Sequence, residues 1–181
     1  LRGLSGRASW GTRIRLADDA DRVLPNDGTT IGHLQVRGPW SANGYFNEPA
    51  SPLTDDGWLR TGDMATIDAQ GGIRIRDRSK DVIKSGGEWI STVEIEAQVA
   101  GLPGIRHAAV IAIPHPRWQE RPLLVIEPEP GARVDEGAVM AHLAARLARW
   151  WLPDRIEQIA AMPISATGKI QKSELRQRFP A

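Results

Sequence analysis

Cysteine is absent from the sequence, which excludes disulfides and thiolate metal sites and fits a reducing compartment. An excess of either charge is also missing. The 23 Lys and Arg against 22 Asp and Glu leave a net charge of +1, so bulk electrostatics give no argument for nucleic acid or an anionic membrane as partner. No stretch approaches the ~20 apolar residues of a membrane span, and no signal peptide is evident. The histidines His33, His107, His115 and His142 have no metal-ligand spacing; they read as structural or exposed, and no metal site is expected in the chain. Internal repeats and low-complexity segments are absent, as is an initiator Met. What remains is ordinary globular composition, 41% hydrophobic and 25% charged over 181 residues, enough for one or two small domains with an adequate core.

Residues 76–91 divide two different patterns. Before them lie short alternating strands and turns. Residues 12–17 and 32–38 alternate polar and apolar, while Asp18-Asp19 and Pro25-Asn26-Asp27-Gly28 supply turn chemistry. Thr66-Ile67-Asp68, a Gln70-Gly71-Gly72 turn and 73–76 predict a β-hairpin. This half is all-β and short of core for its size, so it is expected to pack on further protein.

After the divide, strands alternate with helices. Ser91-Thr92-Val93-Glu94 is a capping box that opens a helix to about Ala100, stopped by Gly101 and Pro103. Residues 107–113 and 123–126 read as buried strands. Asp135 is placed as N-cap of a longer helix over 136–151, striped by Val139, Leu143, Leu147 and Trp150/Trp151 and stopped by Pro153. Packing in a core or interface suits the Trp pair better than a membrane-interface anchor. A strand near 156–160 and a short helix from about Ser173 finish the chain. The dividing stretch itself has dense charge, a Gly-Gly pair and no apolar run long enough to be core.

Three segments carry candidate chemistry. Gly57-Trp58-Leu59-Arg60-Thr61-Gly62-Asp63 sets a carboxylate after a glycine at an expected strand start. One carboxylate can accept bonds from two vicinal hydroxyls, as in ribose binding, although an isolated Asp after Gly is most often a turn residue. Arg78 presents a fork for ribose or phosphate and Lys80 a flexible point charge. Ser85-Gly86-Gly87 permits positive φ and close approach by a ligand; a simple loop would use the same residues. Ser165-Ala166-Thr167-Gly168-Lys169 is not a P-loop, because Pro163 stands where that pattern needs glycine. Lys169 rides on a mobile, glycine-flexed loop, where a cation can meet charge developing on a transferred phosphoryl group or simply be solvated.

Taken together, residues 57–63, 77–96 and 163–172 occur in the order, and at roughly the spacing, of the adenylate-forming (AMP-binding) enzyme family. That family includes acyl- and aryl-coenzyme A ligases, luciferases and the adenylation domains of peptide synthetases. The resemblance covers essentially the whole chain. Residues 32–39 with Gly44-Tyr45 resemble the family's barrel strand ahead of its ribose-binding Asp. Residues 77–91 look most like bacterial medium- and long-chain fatty acyl-CoA ligases, and the Trp-rich run 149–154 points to the same branch.

The resemblance implies an α+β fold: a residual β-barrel subdomain (1–77), a hinge (78–81) and a small α+β lid domain with a mixed sheet flanked by helices (82–181). It implies that Asp63 binds the ribose hydroxyls of ATP and the acyl-adenylate, assisted by Arg78. Lys80 would be the hinge between two catalytic poses. Lys169 would contact the substrate carboxylate and α-phosphate during adenylation. The loop Lys84, Ser85, Gly86, Gly87, Glu88 and Trp89 would then line the pantetheine channel for thiolate attack. The implied activity is ATP-dependent fatty acyl-CoA ligation, an acid-thiol ligase reaction with fatty acid, ATP and coenzyme A as substrates.

The family's phosphate loop, its Mg2+-binding Thr-Glu motif and its acyl pocket belong upstream, so the chain resembles the last third of such an enzyme. Mg2+ ligands are expected in that missing N-terminal adenylation core, and the isolated chain is not expected to be competent. Thr92 stands where many relatives carry Pro. Two other readings stay open: a module loading a carrier-protein thiol or a non-fatty acid, and a non-catalytic relict used for interaction. The expected compartment is the cytoplasm, with peripheral membrane association compatible and no transmembrane segment.

Overall fold

Wherever turn chemistry brackets an alternating segment, the chain forms a strand. The computed structural model describes residues 4–47 and 50–180, so the outermost residues of the ranges 1–77 and 82–181 lie outside the described residues. The chain divides into two units, Leu1–Lys80 and Asp81–Ala181.

The first unit contains β1 (Gly6–Arg7), β2 (Arg13–Ala17), β3 (Val23–Leu24), β4 (Gly32–Arg37), β5 (Leu59–Ile67) and β6 (Gly72–Arg78). They form one antiparallel sheet ordered β1-β6-β5-β4-β2-β3. The Asp18 carboxylate accepts from the N–H groups of Ala20 and Arg22 and so closes the β2–β3 turn. The predicted β5–β6 hairpin forms, with Thr66 opposite Arg74 and Ile67 opposite Ile73. Leu16, Leu34, Ala65 and Ile67 make a small core, flanked by Ile14, Leu24 and Ile73. Among the described residues the sheet stays open. Barrel closure needs paired edge strands, and here the edges are the two-residue strands β1 and β3. The expected barrel subdomain is therefore an open antiparallel sheet.

The second unit is α+β: β7 (Ile83–Ser85), β8 (Glu88–Ile90), α1 (Thr92–Val99), β9 (Ile105–His115), β10 (Gln119–Pro128), α2 (Glu136–Ala144), β11 (Arg155–Gln158) and α3 (Lys172–Arg178). The sheet is mixed. β10 pairs antiparallel with β9 and β7 and parallel with β11. Its period of two sends Leu124 and Ile126 to one face, with Ile95 and Val99 of α1 and Val139 and Leu143 of α2. Leu123 and Val125 go to the other face, with Met162 and Leu175 of α3. With both faces covered, 123–126 is a continuous apolar run with no solvent exposure.

The caps act as the sequence predicts. Ser91 Oγ accepts from Glu94 N at 3.2 Å, and Asp135 accepts from Gly137 N and Ala138 N. Two expectations need correction. The helix placed over 136–151 ends at Ala144; Ala148 turns extended, and Arg149–Trp151 form a separate 3-10 turn. The cause is tertiary: the Arg121 guanidinium donates to the carbonyls of Trp150 (2.7 Å) and Leu152 (2.9 Å) and pairs with Asp154. Leu147 and Trp151 still pack on the core, whereas Trp150 is exposed. The charge-dense stretch 76–91 also supplies core after all, since Val82, Ile83 and Ile90 are buried.

Candidate functional site

Asp63 does not begin a strand. It lies inside β5, at a bulge that both neighbouring strands record. On one side His33 faces Met64 and Gln35 faces Arg60, so Thr61, Gly62 and Asp63 together stand against Leu34. Thr61 Oγ1 donates to the Leu34 carbonyl at 2.8 Å, and Gly62 takes φ +77°, a conformation that suits glycine. On the other side Met64 faces Asp77 and Ala65 faces Ile75, leaving Arg76 as the extra residue.

The two irregularities bring Asp63 directly opposite Arg78, whose Nε lies 3.1 Å from Asp63 Oδ1. Arg78 is 62% exposed and Asp63 24%, so the pair opens toward solvent. An ion pair this exposed contributes at most about 1 kcal/mol to stability. A carboxylate has room for about four bonds, and the approach of Arg78 engages only the Oδ1 side of Asp63. Asp63 and Arg78, which the resemblance pairs, thus stand side by side across β5 and β6. Lys80 is exposed and is the last residue of the first unit.

In the second unit β7 and β8 form a hairpin whose two-residue turn is Gly86-Gly87, with φ +60° and +89°. Two positive-φ positions define the primed turns that match strand twist. Lys84 faces Trp89 across the hairpin, its Nζ 4.6 Å from the centre of the indole. Ser85 is buried opposite exposed Glu88. Gly86 N donates to Trp118 O at 2.9 Å, and a Cβ on Gly86 would lie 2.8 Å from Trp118 Cε3. The turn opens on a cavity of about 510 Å3 whose lining includes Glu88, Trp118, Arg121, Arg149 and Trp150. Sequence reasoning found the hairpin side of this cavity and missed Trp118, Arg121 and Arg149. The hairpin itself carried a readable signal, Gly-Gly between Ile-Lys-Ser and Glu-Trp-Ile.

Lys169 sits on an arm that is more ordered than a flexible loop. Gln171 N donates to Pro163 O, Ile164 pairs with Ile170, and Ser165 N donates to Lys169 O, so the segment closes on itself. Gly168 at φ +80° makes the turn, and Ser165 Oγ accepts from Lys169 N. Lys169 is exposed near the tip. The root is Met162 N, which donates to Glu127 Oε2 at 2.8 Å. The Glu127 side chain is 5% exposed and also accepts from Arg106 Nη1 and His107 Nδ1, each at 3.0 Å. Burial pushes this carboxyl up; the Met162 N–H, His107 and Arg106 outweigh it and hold the group below its ordinary value. Glu127 was not foreseen, although an acid directly after the run 123–126 marks a buried carboxylate with partners.

His33 bonds Asp19 and Ser79, and His115 Nδ1 accepts from Arg117 N and Trp118 N. Among the described residues no cluster of three or more His, Asp or Glu could hold a metal ion.

Residues 94–169 match the AMP-binding enzyme C-terminal domain, which places that segment in the adenylate-forming, AMP-binding family. The chain is 48% identical over 179 residues to the 3-methylmercaptopropionyl-CoA ligase of Ruegeria pomeroyi, covering 99% of this chain and 33% of that protein. It is 43% identical to the medium-chain-fatty-acid–CoA ligase of Ectopseudomonas oleovorans, with the same coverage. The ATP-bound structure of MatB from Rhodopseudomonas palustris superposes with a TM-score of 0.82 at 33% identity, over 97% of this chain and 35% of that one. The chain thus spans about a third of the length of the curated relatives it matches.

Proposed function

We propose that this chain is the part of an ATP-dependent acyl-CoA ligase that completes its active site in two successive poses, with an aliphatic carboxylic acid of the fatty-acid kind as substrate. The observation that carries the reading is the Gly86-Gly87 turn beside the cavity lined by Trp118, Arg121, Arg149 and Trp150. A turn without side chains admits a narrow pantetheine chain, while indole faces and guanidinium groups suit the nucleotide end of coenzyme A. Similarity along nearly the whole chain to two CoA ligases supports the same conclusion.

In the first step a carboxylate oxygen of the acid attacks the α-phosphorus of ATP and pyrophosphate leaves. Asp63 holds the ribose hydroxyls and Arg78 keeps that carboxylate aimed. Lys169 sets its ammonium against charge developing on the α-phosphate. The arm rooted on Glu127 makes that placement reproducible. The second unit then turns about Lys80. In the second step the hairpin Lys84–Trp89 lines the path of the thiolate, which attacks the acyl carbonyl and releases AMP. Mg2+ ligands, pyrophosphate cradle and acyl pocket are assigned to a part of the enzyme outside this chain. That part also completes the open sheet as a β-barrel subdomain, and the exposed Trp10, Trp40 and Phe46 support such a docking. The reaction is assigned to the cytoplasm; among the described residues no helix is long and apolar enough to cross a membrane.

The test joins this chain to a fatty acyl-CoA ligase lacking its own C-terminal domain and follows acyl-adenylate and acyl-CoA separately. Both products should return. Lys169→Ala should lower adenylation by about 10²–10³-fold and leave thioester formation from supplied acyl-adenylate largely intact. A folded chain that restores neither step refutes the proposal.

A further inference from the structure

The boundary between the units falls between Lys80 and Asp81, and the residue before Lys80 and the residue after it are each tied into their own unit. In the first unit Ser79 N donates to Gly62 O at 2.9 Å, at the β5 bulge. The Ser79 hydroxyl lies 3.2 Å from His33 Nδ1, and His33 Nε2 lies 2.8 Å from Asp19 Oδ1. A carboxylate only accepts, so Nε2 carries the proton toward Asp19; in the neutral ring Nδ1 then accepts from Ser79. In the second unit Asp81 Oδ1 accepts from Arg176 Nη2 of α3 at 2.7 Å, with the two side chains only 14% and 29% exposed.

We propose that these two clamps, Asp19–His33–Ser79 on one side and Asp81–Arg176 on the other, are positioning residues for the two-pose reaction: they confine the swivel to the backbone torsions of Lys80. A junction of several loose residues samples a broad volume of orientations, and each added residue enlarges it. A single-residue pivot sweeps an arc, so the same two poses recur. Loss of either clamp lengthens the pivot without touching a residue that meets substrate. The catalytic meaning rests on the ligase reading; the confinement itself does not.

The experiment measures backbone 15N relaxation in the chain as it stands. Ser79 and Asp81 should show order parameters near the ~0.85 of rigid backbone, with reduced order confined to Lys80. Ser79→Ala and His33→Gln should loosen residue 79 and leave residue 81 unchanged; Arg176→Ala should do the reverse, and Arg176→Lys should recover part of the order at 81. Ser79→Ala removes only one hydroxyl from a turn, so it tests the clamp even where the His33 variant fails to fold. Uniform mobility across 79–81, a rigid Lys80, or variants that leave the pattern unchanged would each overturn the inference. Failure of the ligase assay with this pattern intact would refute the catalytic reading alone.

Discussion

Glu127→Gln takes one acceptor from a buried site that serves three donors. Suppose the remaining oxygen occupies the Oε2 position. Met162 N–H and His107 stay bonded, and the new amide faces Arg106, whose side chain is 57% exposed and can turn to water. That loss is about 1 kcal/mol. In the opposite orientation the N–H of Met162, a residue only 6% exposed, loses its acceptor at a cost of up to ~3 kcal/mol. The expected destabilisation of the second unit is therefore about 1–3 kcal/mol at neutral pH.

Its pH dependence follows from the same contacts. The Glu127 carboxyl is held below its ordinary 4.5 in the folded chain. Its contribution is thus fully present above that value and is lost as pH falls through the lower folded value. Protonated Glu127, with one hydroxyl donor, resembles glutamine, so the gap between the two proteins should narrow on acidification. Urea titrations read by NMR at the Leu124 and Ile156 amides report this unit, with Leu16 and Ile67 as reference for the first. Equal stability at pH 7, a gap that ignores pH, or an equal change at the reference amides would refute the reasoning.

Gly86→Ala and Gly87→Ala should differ although both positions have positive φ. Each added Cβ costs about 1–2 kcal/mol from backbone strain. The Cβ at Gly87 enters open space, whereas at Gly86 it lies 2.8 Å from Trp118 Cε3. Only Gly86→Ala should move the Trp118 indole resonance, and it should unfold at lower urea. Arg121→Ala should cost about 2–3 kcal/mol through the bonds lost to Asp154, Trp150, Leu152 and Ser85. Arg121→Lys should recover little, because an ammonium cannot span several acceptors as the guanidinium fork does. Hydrogen exchange across 149–152 checks this, and unchanged protection in the Ala variant would contradict it.

Features encoded within a few residues were legible from the chain. The Asp18 turn, the Ser91 and Asp135 caps, the β5–β6 hairpin and the run 123–126 all carry their reasons locally. The end of α2 did not, because Arg121 captures Trp150 from 29 residues away in sequence. The site shows the same division. Its residues could be named from their motifs, but the 3.1 Å approach of Arg78 to Asp63 depends on bulges against two different strands. Dense charge disguised 76–91, where Lys84 and Glu88 flank a glycine turn whose hairpin buries Ile83 and Ile90. The flexibility expected of the Lys169 segment was misjudged for a similar reason: the group that anchors it, Glu127, is 35 residues away from Met162 in sequence.

The one parallel rung in the second sheet orders the assembly of that unit in time. β9 and β10 are consecutive and antiparallel and can zip from residues 116–118, a short closure with little entropic cost. β11 can meet β10 only after the intervening chain, α2 included, has crossed the sheet, and such non-local closure is intrinsically slow. The arm bearing Lys169 follows β11 and is rooted on the far end of β10, so it is among the last parts to acquire a fixed place. An incompletely folded chain consequently leaves Lys169 without a fixed place, and the role proposed for that lysine depends on the unit beneath it being finished.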